Sequence, residues 1–432
     1  MPARALAHEH IAFALQPTAA KTLLPVTTIT KVVTLLPLRK IPSLFFHQPQ
    51  TMSIRAPLRR TLHVLDFRRP SIVRGFDVLS RLAFEEFLLR YDPYAQSPVP
   101  KSSDVASAPP SAFGRDWLLL GTHSPALAGL GSGALQPPCV VVLGLGGKVS
   151  KLVDVPLARR DQVPLLRRFS GGGTVVVDGT GTLLTAIISR TWGGGRPDDE
   201  NVCKPFPREI MDWTAHAVFG PAFESMTKNL PPLSSSSSSS SSFSSSPPPF
   251  SLTENDYTLG GVHKVAGNAQ CISGPGRGWL HHTSFLWSYS KSNMAYLLLP
   301  EKRPAYRSSR PHGDFLVPLS THYGHAPGGS AYVFEHLRLA VGCEPLSSSS
   351  SEGQPAPEAG TGAISPSFKA AYERSVEVDG DAVFERVLSK VGGMEGWRAF
   401  VRGESVLDQE GSGGGTLISR SKIVEDGDEE KR

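Results

Sequence analysis

Two periods of apolar and polar residues run along positions 60–400, and the switches between them mark out the elements. GFDVLSRLAFEEFLLR, Gly75 to Arg90, places Phe76, Leu79, Ala83 and Phe87 near a 3.6-residue repeat with Asp77 set to cap, so the spacing predicts a helix. HVLDFR, His63 to Arg68, predicts a first strand, and WLLLG and CVVVLG are short continuous apolar runs, the pattern of buried strands. LLRRF, TVVVD and TLLTAIIS follow and are expected to continue the sheet around a glycine loop. Pro207 opens a second helix, PREIMDWTAHAVFG, and three strand-like segments come later: SLTENDYTL, HKVAGNAQCI and GWLHHTSFLW. AYVFEHLRLAV and DAVFERVLSKV read as two short amphipathic helices. Strands and helices are mixed rather than strictly alternating, which predicts the α+β class.

Polar low-complexity tracts break this pattern. A Ser/Pro-rich stretch spans 97–114, serine homopolymers lie at Ser234–Ser242 and Ser347–Ser351, and the chain ends Gly/Ser-rich and charged after Gly403. Serine runs flanked by proline bury no apolar surface, so disordered insertions are expected at 97–114, 231–249 and 345–365, with a solvated tail at 403–432. The foldable part then divides into a main domain, 61–320, and a short helical extension, 321–402.

Charge adds a leader. Residues 1–60 carry eight Lys/Arg and one acid, Glu9, a surplus larger than the chain's net +5, so the remainder is slightly acidic. The basic balance therefore gives no argument for a nucleic-acid partner. An acid-poor, Arg-containing N-terminus reads as an organelle transit peptide, mitochondrial before plastid, with the cytosol following if Met52 is the start. No apolar run is long enough for a membrane span. The four cysteines (Cys139, Cys203, Cys271, Cys343) show neither a CxxC pair nor metal-ligand spacing, which fits a reduced compartment and no metal site. Cys139, in PPCVVVLG, reads as core.

The candidate chemistry lies in two blocks: RRFSGGGTVVVD, Arg167 to Asp178, and ENDYTLGGVHKVAGNAQ, Glu254 to Gln270. Three glycines after two arginines and before a β-branched run point to close approach of backbone to a ligand. The arginine fork suits carboxylate or phosphate. Glycine triplets recur at Gly193–Gly195 and Gly413–Gly415, and both read as loops. The first is set apart by the charges before it and the strand after it. A lysine three residues before another glycine can stabilise charge developing on a carbonyl oxygen under attack. His281 and His282 alternate along a strand, so one of them points away from any pocket.

RRFSGGGT, then K-x-x-G-N-A-Q, then HHTS, in that order, resemble the lipoate–protein ligase and octanoyltransferase family, whose fold is shared with biotin protein ligases. The resemblance runs from about Ser71 to about Leu319 and is nearest a plant and algal branch, through ENDY, GNAQ, WLHHTSFLW, MAYLLLPEKRPAYR and HGDFL. It implies a mostly antiparallel sheet packed by helices. It also implies an enzyme that delivers a lipoyl or octanoyl group to the lysine of lipoyl-domain acceptors, 2-oxoacid dehydrogenase subunits or the glycine cleavage H protein. ATP, Mg²⁺ and lipoate or octanoate are the implied substrates, with acyl carrier protein as an alternative donor. By the same resemblance, Arg168, Ser170, Gly171, Gly172, Gly173 and Thr174 form one wall of the ligand site. Lys264 touches the activated carbonyl, Gly267, Asn268 and Ala269 form the opposing wall, and His282, Thr283 and Ser284 close the pocket.

The chain departs from the family in three ways. Val177 stands before Asp178 where many members have histidine, leaving Asp178 as either a backbone or Mg²⁺ orienter or a turn cap. The stretch FSLTENDYTLGG lacks the cysteine that octanoyltransferases use, and no PCG motif follows. Cys271 is the one cysteine near the site, and strand alternation leaves its direction open. Finally, two short helices are less than the accessory domain of bacterial lipoate ligases. The residues favour an ATP-dependent ligase or acyl-AMP-using transferase. A cysteine-independent octanoyl or lipoyl transferase and a non-catalytic acyl-binding protein are the alternatives. No GRGRxGR-type loop is present, which argues against biotin transfer.

Overall fold

The computed structural model describes residues 60–425 except 96–113, 123–138, 180, 191–205, 233–245, 274–277, 300–303, 309, 344–363 and 411–414, all within one unit, Arg55–Arg432. Most of the expected leader and of the three expected insertions lies outside the described residues, as does the triplet at Gly193–Gly195.

Among the described residues, fourteen strands form three sheets. In chain order they are β1 (Arg60–Asp66), β2 (Asp116–Gly121), β3 (Val140–Leu143), β4 (Leu165–Arg167), β5 (Val175–Val177), β6 (Thr182–Ser189), β7 (Phe250–Thr253), β8 (Asp256–Leu259), β9 (His263–Ile272), β10 (Trp279–Leu286), β11 (Tyr372–Glu377), β12 (Val406–Leu407), β13 (Thr416–Leu417) and β14 (Lys422–Ile423). The large sheet has the order β11-β1-β2-β6-β10-β9-β8-β7, a smaller one β14-β4-β3-β5, and β12 pairs β13. From β2 to β7 every pairing is antiparallel; β1 pairs in parallel with β2 and β11, as β3 does with β4. This is the α+β class that the pattern predicts, with the mostly antiparallel sheet that the resemblance implies.

Helix α1 (Val78–Tyr91) lies between the two larger sheets. Asp77 caps it, accepting from the Ser80 N–H. Ala83, Phe84, Phe87 and Leu88 pack on the large sheet's Trp117, Leu119, Ala186 and Ile188, whereas Val78, Leu79 and Leu82 pack on Val140, Val142, Leu166 and Val177 of the small one. Apolar residues therefore surround α1 instead of forming one stripe, as a helix covered on both sides requires. Phe84 and Phe87 are fully buried, worth about 1.5–3 kcal/mol each by area. The other face of the large sheet is covered by the helices Pro207–Thr214, Gly220–Lys228 and Ala331–Ala340.

Several expectations are corrected. LLRRF and TVVVD do not continue the main sheet; with CVVVL they build the second one, whose Val140, Val142, Leu166 and Val177 pack on α1. SLTENDYTL is two strands, turning at Glu254 (φ +51) and Asn255, and the turn is tied by a 2.8 Å bond between the Thr253 and Thr258 hydroxyls. The helix opened by Pro207 runs on to Lys228 through a π-helical turn at Ala215–Phe219. The C-terminal extension is not helical alone. β11 pairs with β1, and the helices Gly380–Val391 and Gly393–Val401 place Phe384, Trp397 and Phe400 against Phe76, Phe84 and Phe87 of the α1 layer. The expected tail, 403–432, is also corrected where it is described. β14 pairs with β4, and Ser419 and Ser421 are buried. Its polar composition hid this, since short strands bonded through the backbone need no apolar run.

Candidate active site

The two glycine blocks meet. Gly172 has φ +91, and a Cβ there would come within 2.8 Å of Arg168 Nη2 and 2.9 Å of the Ala269 Cβ. Only glycine allows the loop to lie this close to the GNA segment of β9. Gly144 is the second forced position, since its Cβ would fall 2.2 Å from the Gly172 carbonyl oxygen. Gly171 and Gly173 have open space where a Cβ would stand.

β9 and β10 set the rest by register: Gly267 opposite Ser284, Asn268 opposite Thr283, Ala269 opposite His282 and Gln270 opposite His281. Alternation puts His282 on the α1 face and His281 on the other. Between loop and strands lies a cavity of about 620 Å³, a size suited to a small-molecule ligand. Arg168, Gly172, Gly173, Thr174, Lys264, Gly267, Asn268, Ala269, His282, Thr283 and Ser284 all line it. β8 pairs β9 only through Tyr257–Leu259, so beyond Gly267 the cavity reaches both faces of β9. Val78, Leu82, Val142, Val175 and Leu184 supply an apolar wall, as an acyl chain needs.

Besides lining the cavity, Arg168 braces its own loop. Its guanidinium donates to the Gly171 and Gly173 carbonyl oxygens, each at 2.7 Å, and to Ser170 Oγ at 3.1 Å. It staples the glycine loop from inside, and burial lowers its pKa to about 10. Ser170, which stands behind the wall, bonds His282 Nε2 at 2.8 Å. His282 Nδ1 lies 3.2 Å from Glu85 Oε2, whose other oxygen takes a 2.6 Å bond from Arg81. Burial lowers the pKa of His282 despite the Glu85 carboxylate, and burial likewise lowers that of Arg81. Glu85 is held below its ordinary value because Arg81 and His282 overcome the opposing effect of burial. The result is a row of buried polar groups, Arg81, Glu85, His282, Ser170 and Arg168, under the apolar part of the cavity.

Lys264 occupies a second polar region. Its ammonium bonds Asp256 Oδ1 at 2.6 Å, and Asp256 Oδ2 accepts from the Tyr306 hydroxyl at 2.9 Å. The ring of Phe315 lies 5.9 Å from Lys264 Nζ and 4.8 Å from the Arg307 guanidinium. The Lys264 backbone is fixed as well, its carbonyl accepting from Val317 N–H at 3.0 Å. Thus Lys264 is aimed by an ion pair, and an ammonium has three donors of which Asp256 takes one. Thr174 Oγ1 is buried with no hydrogen-bond partner among the described residues, leaving a hydroxyl for a ligand.

On the far face, His281 sits in a closed set: Tyr257 at 2.8 Å and Gln270 at 2.9 Å, with Thr283 at 3.1 Å. Burial lowers its pKa to about 3. Asp178 lies outside the cavity wall. Its N–H donates to Thr182 Oγ1 and its carboxylate accepts from Asn293 Nδ2 at 3.1 Å, which is the turn-holding alternative. Cys271 packs into the α1 core away from the cavity lining, and burial raises its thiol pKa. A thiol so placed is a poor nucleophile. Sequence reasoning missed Arg81, Glu85, Asp256, Tyr306 and Arg307. The signal for Glu85 is two acids inside an apolar helical run; for Asp256 it is its place in ENDY, one of the segments that carry the resemblance.

Residues 134–323 match the lipoyl protein ligase A/B catalytic domain. The resemblance carried by the glycine motifs, Lys264 and HHTS names this same family. The chain is 26% identical over 187 residues to the inactive lipoate–protein ligase 2 of Plasmodium falciparum, covering 41% of this chain and 46% of that protein. It therefore spans about half the length of that relative. Among solved structures, P. falciparum LipL1 in complex with lipoate superposes with a TM-score of 0.41 at 12% identity, over 79% of this chain and 71% of the other. The bipartite lipoate–protein ligase of Thermoplasma acidophilum, determined with its E2 lipoyl domain, gives a TM-score of 0.38 at 15% identity, over 65% and 80%. The lipoyl protein ligase domain match includes both glycine walls and all three of the HTS residues, whereas α1 with Glu85 lies before it.

Proposed function

We propose that this chain binds a lipoyl or octanoyl group in the cavity between the Gly171–Gly173 loop and β9 and attaches it, through acyl-AMP, to the acceptor lysine of a lipoyl-domain protein. The observation that carries the reading is the closure of the two glycine segments on one another, with Lys264 on the cavity wall. The apolar wall would take the chain. Lys264, restrained by Asp256, would meet the activated carbonyl and the adjoining phosphate, where a fixed cation counts most. The cavity carboxylates are already engaged, Asp256 by Lys264 and Tyr306, and Glu85 by Arg81 and His282. Among the described residues no cluster of three or more His, Cys, Asp or Glu could hold a metal. Mg²⁺ would be held by the nucleotide phosphates with one or two carboxylates, the usual way that ion binds. The place of Cys271 supports activation by adenylation over a cysteine thioester. Delivery to a mitochondrial acceptor rests on the leader's composition.

A second reading is favoured by the relative described as inactive: acyl binding without transfer. Intact-mass analysis of apo glycine cleavage H protein separates the two. Incubation with this protein, lipoate, Mg²⁺ and ATP is expected to add one lipoyl mass, and only with ATP. Gain from octanoyl-carrier protein alone would replace the ligase with a transferase. Saturable lipoate binding with no mass gain from ATP, carrier or lipoyl-AMP would leave the binding role.

A further inference from the structure

The C-terminal strand is bonded to the backbone of the site. Lys422 and Ile423 of β14 pair with Arg167 and Leu166 of β4, and the Val424 N–H donates to the Leu165 carbonyl at 2.8 Å. The fully buried Ser421 hydroxyl accepts from the Phe169 N–H at 3.2 Å. Phe169 lies between Arg168 and Ser170, and its ring sits 6.3 Å from that of His282. The turn before β14 closes on a carboxylate of α1. Glu86 Oε2 accepts from Ser419 Oγ at 2.9 Å, Arg420 N–H at 2.8 Å and Ser421 N–H at 3.3 Å, while Oε1 faces Arg90. Glu86 adjoins Glu85, the partner of His282. One short segment thus grips both elements that form the acyl wall: the strand leading into the glycine loop and the helix carrying Glu85.

We infer that residues 416–424 are a positioning element of the acyl site, with Ser421 and Glu86 as its positioning residues. The Arg168 N–H and the Ser170 carbonyl bond the Leu143 carbonyl and the Leu145 N–H on the β3 side, so the Phe169 N–H between them points to the β14 side, and losing the Ser421 hydroxyl strands a buried N–H and frees the chain between Arg167 and Gly171. The effect on ligand rests on the acyl-binding reading; the effect on the loop does not.

The test compares the full chain, Ser421→Ala and a chain ending at Gly415. Hydrogen exchange is followed at residues 168–174 and in β9 and β10, together with lipoate affinity and the KM and kcat for lipoate. The expected result is exchange about tenfold faster confined to 168–174, a KM raised about tenfold and a kcat within twofold. No local change in either variant overturns the inference. So does a uniform rise across both sheets, which would mark a merely structural role. A wild-type chain that binds no lipoate sinks the acyl reading instead, and exchange at Phe169 still decides the positioning role.

Discussion

Three adjacent glycines offer the same substitution in three different environments. At Gly172 alanine meets two obstacles. The left-handed backbone, φ +91, costs an L-residue about 1–2 kcal/mol. The added methyl would stand 2.9 Å from the Ala269 Cβ, 2.8 Å from Arg168 Nη2 and 3.3 Å from the Asn268 carbonyl oxygen, an overpacking of about 1–3 kcal/mol. The sum is about 2–5 kcal/mol, set against a loop whose residues 171–173 are exposed to solvent. An exposed loop relieves the clash by moving off β9, so most of this cost should fall on the site and little on global stability. Gly172→Ala is expected to weaken lipoate or lipoyl-AMP binding at least thirtyfold, as about 2 kcal/mol requires, and to shift the urea midpoint little. A methyl on Gly173 meets no protein atom and points at the cavity that Gly173 lines, so Gly173→Ala should leave stability unchanged and weaken ligand binding alone. Gly171→Ala, with open space and no cavity contact, should be nearly silent. Calorimetric titration beside urea unfolding gives both quantities for all three variants. Equal losses at Gly171 and Gly172 would refute the claim that close approach to β9 builds the wall.

Further tests address the charges. Lys264→Ala should abolish lipoyl transfer, measured by intact mass, while circular dichroism and the urea midpoint stay near wild type, because a partly exposed ammonium supplies charge rather than packing; full activity would remove it from the mechanism. Arg168→Lys loses the fork that bridges the Gly171 and Gly173 carbonyls, and charged hydrogen bonds of this kind are worth about 1.5–3 kcal/mol. Lipoate binding should fall tenfold or more, and an unchanged Kd would show that the loop holds itself. His281 titrates at about 3 in the fold against an ordinary 6.5, so the unfolded chain binds the extra proton. Its contribution is complete above pH 6.5 and is lost as pH falls from 6.5 toward 3, at up to about 1.4 kcal/mol per pH unit. His281→Gln should flatten the acid limb of stability against pH by about one proton, read from urea unfolding at pH 4–7; an unchanged slope would refute the assignment.

The local pattern determined much of this protein. Periodicity and capping located α1, and apolar runs located the strands now numbered β1 to β6. Motif order picked out the glycine walls, Lys264 and the HTS segment, and alternation required His281 and His282 to part. These are short-range properties, in which the residues that carry the signal are also the ones that form the element. What the tertiary structure alone decided has partners far apart in the chain. Only folding shows that Gly172 must be glycine because Ala269 stands behind it, and that Arg168 staples its own loop. The same holds for Glu85 reaching His282 across 197 positions, and for a polar tail strand closing on β4. A buried charge and a backbone-paired edge leave little trace in hydropathy, because burial is settled by what lies on the other side of the packing, not by the residue itself.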